Sequence, residues 1–353
     1  MLRRMKRLCA TVVVCGCLAA NVEVQNPIVQ SEFIYESAPF PSAHASTIVE
    51  TRDGLVAAWF GGTAERNPDV GIWVSRHDGK QWSAPVEVAN GVQPNGPRLP
   101  CWNPVLFQPP NGQLVLFYKV GPNPRQWWGL VRTSPDRGRT WSRPAKLPDG
   151  ILGPIRAKPV LMSDSTLLAG SSTEHAGWTV HMERYTPRNG WTASAIANPR
   201  SWEKVGPLNG HGSFGAIQPT ILVHSPKEVQ ILNRSQQQVI TEVWSKDGGR
   251  TWGHMVKTQL PNPSAGIDAV RLRDKRFALI YNPTTKGRDR LEIALSDDGK
   301  TWRPGVELEN SSPGEFSYPA IIQTADGMIH ATYTWHRQRI KHVVIDPARL
   351  TAK

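Results

Sequence analysis

The chain has 353 residues, 39% of them hydrophobic, with 30 glycines, 30 prolines and 14 tryptophans. So many turn-formers beside so much aromatic surface exclude a disordered or mainly helical protein and leave a β-rich globular one. The formal charge of +12 is carried by bases scattered along the chain; this argues against a nucleic-acid face and suits an acidic substrate.

The first element is a targeting segment. Arg3, Arg4, Lys6 and Arg7 form a basic n-region, and Leu8 to Ala20 is a mostly apolar run of 13 residues, too short to span a bilayer. Residues 1–20 are therefore expected to be a signal peptide, cleaved after Ala19 or Ala20, and the protein to be exported. The alternative is a lipid anchor at Cys17, within Val14-Cys15-Gly16-Cys17. Three of the four cysteines lie in this segment, so the mature chain keeps only Cys101 and forms no intramolecular disulfide. No transmembrane segment, metal-ligand spacing or cofactor motif follows, and a monomer is expected.

Residues 26–349 are expected to form one domain. Val29–Tyr35 reads as a first strand. Apolar runs of strand length then come in pairs: Leu55–Phe60 with Gly71–Ser75, Gln113–Val120 with Gly129–Ser134, Thr166–Ser171 with Thr179–Arg184, Glu228–Leu232 with Val239–Ser245, Phe277–Tyr281 with Leu291–Ser296, and Met328–Thr334 with Lys341–Ile345. Gly91–Pro104 and Trp202–Pro219, rich in Gly, Pro and Asn, read as long loops.

A turn motif recurs between these runs. Ser134-Pro-Asp-Arg-Gly-Arg-Thr-Trp141 and Ser245-Lys-Asp-Gly-Gly-Arg-Thr-Trp252 share one pattern; Ser296-Asp-Asp-Gly-Lys-Thr-Trp302 lacks one residue, and Ser75-Arg-His-Asp-Gly-Lys-Gln-Trp82 has its Asp displaced by one. Ser and Asp satisfy turn amides, Gly supplies positive φ, and Trp pins the turn to an apolar layer. The closing tryptophans are 59, 111 and 50 residues apart, and the worn copy Tyr185-Thr-Pro-Arg-Asn-Gly-Trp191 divides the long interval. Units of about 50 to 60 residues suit four-stranded blades, about six of them, with Val29–Tyr35 joining the strand that ends at Ile345 to close the ring. The expected fold is all-β, a six-bladed β-propeller of four-stranded antiparallel blades.

These repeats resemble the Asp-box (BNR) repeats of the sialidase superfamily, six-bladed propellers that remove terminal sialic acids from glycans, and the likeness spans nearly all of the mature chain. The resemblance places the boxes on the periphery and the chemistry elsewhere. It implies three arginines on the substrate carboxylate, a Tyr–Glu pair as nucleophile and base, and an Asp as general acid. Phe316-Ser-Tyr318-Pro looks like the segment bearing the nucleophilic tyrosine. Glu228-Val-Gln-Ile-Leu-Asn-Arg234 and Gly287-Arg288-Asp-Arg-Leu look like segments that deliver two of the arginines. Guanidinium forks match a sugar carboxylate.

The pattern departs from the family at two positions. His44, in Ser42-Ala-His44-Ala-Ser-Thr, stands where the first arginine belongs. Gln218, in Gly215-Ala-Ile-Gln218-Pro, stands where the base belongs, and an amide is no base. Glu65 and Asp69 follow a strand end and are the expected acids, with turn capping the alternative for Asp69. Catalytic roles are thus expected for Tyr318, Glu65, Asp69 and His44, and substrate contacts for Arg234, Arg288, Gln218, His211 and Trp128. Glu174 is of catalytic type without a role, and Trp102 and Trp127 are further stacking candidates. The partner expected is an acidic glycan or polysaccharide. Three functions fit: a sialidase-type glycoside hydrolase, a uronate-specific polysaccharide lyase in which His44 or Tyr318 removes the C5 proton, and a non-catalytic glycan-binding propeller.

Overall fold

The computed structural model describes residues 25–210 and 214–350; the expected signal peptide and His211 lie outside the described residues. Among the described residues, twenty-four strands form six four-stranded antiparallel sheets. Strand β1 (Ile28–Phe33) stands apart in sequence from the sheet it completes. Blade I is β2 (Ser42–Thr51), β3 (Gly54–Gly62), β4 (Gly71–His77) and β5 (Val86–Ala89). Blade II is β6 (Cys101–Phe107), β7 (Leu114–Val120), β8 (Trp128–Ser134) and β9 (Ala145–Lys146). Blade III is β10 (Val160–Leu161), β11 (Leu167–Thr173), β12 (Thr179–Tyr185) and β13 (Trp202–Val205). Blade IV is β14 (Ala216–Val223), β15 (Val229–Ser235), β16 (Val239–Ser245) and β17 (Val256–Pro261). Blade V is β18 (Asp268–Arg271), β19 (Phe277–Tyr281), β20 (Arg290–Ser296) and β21 (Arg303–Asn310). Blade VI is β22 (Phe316–Gln323), β23 (Ile329–Trp335), β24 (Arg339–Ile345) and, as its outer strand, β1.

The β1–β24 pairing runs from Ile28 opposite Ile345 to Phe33 opposite Lys341, so the first strand closes the ring against the last, as expected. Closure removes the free edge that a linear array of blades would expose. All six strand pairs read from the sequence are present with ends displaced by a few residues. The stretch 202–219 is not one loop: it contains β13 and the start of β14.

The core is a set of wedges between neighbouring blades. Val56, Phe60 and Ile72 of blade I meet Leu106, Leu116 and Tyr118 of blade II. Val105, Phe117 and Val131 meet Leu167 and Tyr185 across the next interface, and the pattern continues to Ile293 and Leu295 against Ile321 and Tyr333. Middle strands are therefore covered on both faces. Leu114–Val120 is buried at every position, Lys119 included, which is why its apolar residues run together rather than alternating.

The repeated turns lie between the third and fourth strands, at the outer edge. Asp136 Oδ1 accepts from Thr140 N (2.7 Å) and Ser134 Oγ (2.8 Å), Asp136 Oδ2 accepts from Thr140 Oγ1 (2.6 Å), and Ser134 Oγ accepts from Gly138 N (2.7 Å). Asp247 and Asp298 repeat the set with Thr251 and Thr301. Burial would raise the Asp136 pKa, but these donors outweigh it and hold the carboxyl at about 2. In the first copy the displaced Asp changes the wiring: Asp78 accepts from Lys80 N and Gln81 N, and Ser75 turns to Ser83 O at 2.6 Å. The worn copy keeps the packing, with Trp191 5.4 Å from both Tyr185 and Phe107, and the Tyr185 hydroxyl donates to Gly190 O at 2.8 Å.

Four inner strands share a feature with no counterpart in the strand patterns read from the sequence. The ladder slips between His44 and Thr47, Trp102 and Val105, Ile217 and Thr220, and Ser317 and Ala320. Each slip contains a non-glycine residue at positive φ: Ala45 (61°), Asn103 (37°), Gln218 (56°) and Tyr318 (51°). In three of them proline follows, as Pro104, Pro219 and Pro319. Proline donates nothing to a ladder, so it tolerates the gap, and the bulge re-aims the preceding side chain. Left-handed conformation costs a non-glycine residue about 1 to 2 kcal/mol. Such strain clusters at functional sites, which makes Tyr318 and Gln218 candidates for one.

Candidate functional site

Two of the bulges face each other across the ring. The Tyr318 hydroxyl accepts from Arg234 Nη1 at 2.8 Å and from Gln218 Nε2 at 3.4 Å, and Gln218 Oε1 accepts from the same Arg234 nitrogen at 3.3 Å. Arg234 projects from the end of β15, where Nε donates to Ser264 Oγ (3.4 Å) and the guanidinium lies 4.9 Å from the Trp178 ring centroid. Arg288 and Arg156 flank the Tyr318 ring at 6.0 and 5.4 Å. Arg156 is buried and held by the carbonyls of Ile267 (2.8 Å) and Pro319, so it acts as fixed positive charge beneath the site.

This arrangement sets the state of the phenol. Burial raises the Tyr318 pKa; the Arg234 and Arg288 charges and the Gln218 hydrogen bond lower it by more, leaving it below the ordinary tyrosine value. The chain's other five tyrosines, Tyr35, Tyr118, Tyr185, Tyr281 and Tyr333, are all shifted upward by burial. Tyr318 is the phenol that ionises first.

His44 packs its ring 4.1 Å from that of Tyr318 and edge-on to Phe60. Burial and then the charges of Arg337, Arg288, Arg156 and Arg234 hold its pKa well below the ordinary histidine value, so the ring is neutral. Thr334 Oγ1 accepts from Ala45 N at 3.2 Å and lies 3.0 Å from His44 Nδ1. With the hydroxyl proton directed to Nδ1, all three groups are satisfied and the ring proton sits on Nε2. In that tautomer His44 offers the site a neutral N–H donor where the family pattern has an arginine.

A third guanidinium comes from a place with no sequence signal. Arg337 sits at the β23–β24 turn with φ of 57° and pairs with Glu65 Oε2, Glu315 Oε1 (2.8 Å) and Glu315 Oε2 (3.0 Å). Glu315 also accepts from Arg288 Nη1 at 3.4 Å. Arg288, Gly314, Glu315 and Arg337 line an open cleft of about 400 Å³. Glu65 therefore lies at the site rim, engaged by Arg337.

Asp69 is occupied otherwise. Its Oδ2 accepts from Thr63 N (2.7 Å) and Thr63 Oγ1 (2.6 Å), which caps the loop after β3. Burial raises its pKa, the Thr63 bonds lower it by more, and the net shift is downward, a poor state for a proton donor. Trp102 is a core residue, its indole donating to Gly121 O at 2.8 Å. Trp127 and Trp128 are half-buried and line a groove of about 310 Å³ between blades II and III.

The description "BNR repeat-like domain" matches residues 53–331. The chain belongs to the BNR repeat-like family. A sialidase of Bacteroides fragilis is 23% identical over 233 residues, 56% of this chain and 40% of that protein, so the chain spans less than half of the curated relative's length. Among solved structures, a Dyadobacter fermentans protein of unknown function superposes with a TM-score of 0.71 at 18% identity, covering 90% of this chain and 98% of its own. The K499G mutant of NanB sialidase from Streptococcus pneumoniae gives 0.71 at 13% identity over 92% of this chain and 71% of that one. Trypanosoma rangeli sialidase gives 0.67 at 16% identity, over 88% and 56%. These likenesses show the six-bladed sialidase-type fold.

Proposed function

We propose that the protein is an exported carbohydrate-active enzyme that cleaves a terminal acidic sugar from a glycan by sialidase-type hydrolysis. The observation that carries this reading is the Tyr318 hydroxyl held 2.8 Å from Arg234, with Arg288 on its flank and its pKa lowered. Arg234, Arg288 and Arg337 supply guanidinium forks for one sugar carboxylate, and His44 Nε2–H adds a neutral donor. Tyr318 then attacks the anomeric carbon as the glycosidic C–O bond breaks, and water later releases the sugar. Tyrosine as nucleophile is a recognised exception to the two-carboxylate pattern. Gln218 cannot take the phenol's proton, so activation falls to the surrounding positive charge.

That amide also favours a second reading. A uronate lyase needs its substrate carboxylate neutralised and a base for the C5 proton, but no carboxylate beside the tyrosine. Tyr318 suits that base better than His44, whose Nε2 carries a proton in the tautomer that satisfies Thr334.

Incubation with sialyl conjugates and with uronate polysaccharides separates the two. Free sialic acid without the ultraviolet absorbance of an unsaturated uronate supports hydrolysis. The absorbance without sialic acid refutes it and leaves the lyase. Binding of acidic glycans without turnover, equal in wild type and Tyr318→Phe, refutes both enzymes in favour of a glycan-binding propeller. Export is tested by the cell fraction in which the full-length protein is found.

A further inference from the structure

The bulges that carry Gln218 and Tyr318 belong to the inner strands of blades IV and VI, and β18 of blade V packs against both. An inner strand faces the axis with an edge that no further strand covers, so its backbone groups take partners from side chains. One carboxylate serves both bulged strands. Asp268, the first residue of β18, is buried. Its Oδ1 accepts from Thr220 Oγ1 at 2.9 Å, and its Oδ2 accepts from Ile321 N at 3.0 Å. Thr220 is where the β14 ladder resumes after Gln218, and Ile321 lies one residue past Ala320, where β22 resumes after Tyr318. The two oxygens of a single side chain thus hold the far ends of both bulges.

The clamp is itself fixed. Lys158 Nζ donates to Asp268 Oδ2 at 2.9 Å and to Ala269 O at 2.7 Å, and Ala269 N donates to Thr220 Oγ1 at 3.0 Å. Arg156, from the same segment leading into β10, donates to Ile267 O at 2.8 Å and to Pro319 O inside the Tyr318 bulge. A buried carboxylate is stable only when paired and hydrogen-bonded, and this one accepts from Thr220, Ile321 and Lys158 together. Gln218 and Tyr318 sit at φ of 56° and 51°, conformations that their surroundings must impose. The anchor points just beyond the bulges therefore govern how the two side chains meet, with Gln218 Nε2 3.4 Å from the Tyr318 hydroxyl.

We propose that Asp268 is a positioning residue of the site: its carboxylate sets the separation of the Gln218 and Tyr318 bulges and so holds the Tyr318 hydroxyl on Arg234. It acts through Thr220 and Ile321 and needs no contact with substrate. Its part in turnover rests on the hydrolase reading; its hold on the phenol is measured without substrate.

Asp268→Ala removes both arms of the clamp. Thr220→Val removes one and leaves Asp268 paired with Lys158, so it carries the test if Asp268→Ala does not fold. Thr220→Ser retains the hydroxyl. Burial raises the Tyr318 pKa and is outweighed by Arg234, Arg288 and Gln218 at their present distances. A displaced phenol should therefore ionise at higher pH. In alkaline ultraviolet titration, the first tyrosinate step should move up in Asp268→Ala and Thr220→Val and keep its wild-type place in Thr220→Ser. On an aryl sialoside, kcat should fall at least about tenfold in the two shifted variants while KM changes less than about threefold, since Arg234 and Arg288 are carried by other segments. Asp247→Ala, at the outer edge, should lower the melting temperature without moving the step. A step that stays in place in Thr220→Val, or moves as far in Thr220→Ser or Asp247→Ala, overturns the assignment; so does a moved step with kcat unchanged. A moved step in a protein whose wild type does not cleave the sialoside supports the clamp and overturns the hydrolase.

Discussion

Arg234→Met removes the charge nearest the Tyr318 hydroxyl, and with it the guanidinium that stacks on Trp178, while keeping most of the aliphatic stem. A charge-assisted hydrogen bond of this kind is worth about 1.5 to 3 kcal/mol. Its loss should raise the Tyr318 pKa, by the lower end of that energy because Arg288 and the Gln218 amide remain in place. The readout is the ultraviolet difference absorbance of tyrosinate during alkaline titration. With the other five tyrosines pushed upward by burial, wild type should show a first step of one tyrosine below the ordinary value. That step should vanish in Tyr318→Phe and move up in Arg234→Met. A step that survives Tyr318→Phe, or that stays in place in Arg234→Met, refutes the view that Arg234 activates this phenol.

Glu315→Gln releases Arg288 and Arg337 from their shared carboxylate and should raise KM for an acidic glycoside more than it lowers kcat, about tenfold against less than threefold. Asp247→Ala removes an acceptor of four bonds at the outer edge; thermal unfolding should show a loss of about 1 to 2 kcal/mol with kcat unchanged. Ring closure should weaken in acid. His330 Nδ1 lies 2.9 Å from His342 Nε2 beside Glu32 of β1, and burial, then His342, depress the His330 pKa to about 4. Because its folded pKa lies below the unfolded value of about 6.5, its contribution is complete above about pH 6.5 and is lost as pH falls toward 4. The melting temperature should drop through that window in wild type and drop less in His330→Asn.

The middle strands were legible because blades cover both their faces, so Leu114–Val120 and Phe277–Tyr281 needed only an apolar run to be seen. Outer strands other than β1 were not: Ala145–Lys146 is a two-residue edge. Inner strands were hidden for a different reason. They carry site residues on bulges, so polar side chains and prolines interrupt the apolar pattern at Asn103-Pro104, Gln218-Pro219 and Tyr318-Pro319. Those three X-Pro pairs were the available signal for the bulges.

The repeated turns, the number of blades and the closing strand were determined by the sequence alone, because Ser, Asp, Gly and Trp satisfy a turn through contacts within a few residues. The motif resemblance likewise pointed to Tyr318, Arg234 and Arg288. Only the tertiary structure decided their company and their chemical state. Arg337 reaches Glu65 across 272 positions, and Thr334 meets His44 across 290. The phenol's pKa is a balance of burial against charges from several blades, and no local spacing encodes that sum. A closed ring brings distant residues to one axis, so its scaffold is written in short-range repeats and its chemistry in long-range contacts.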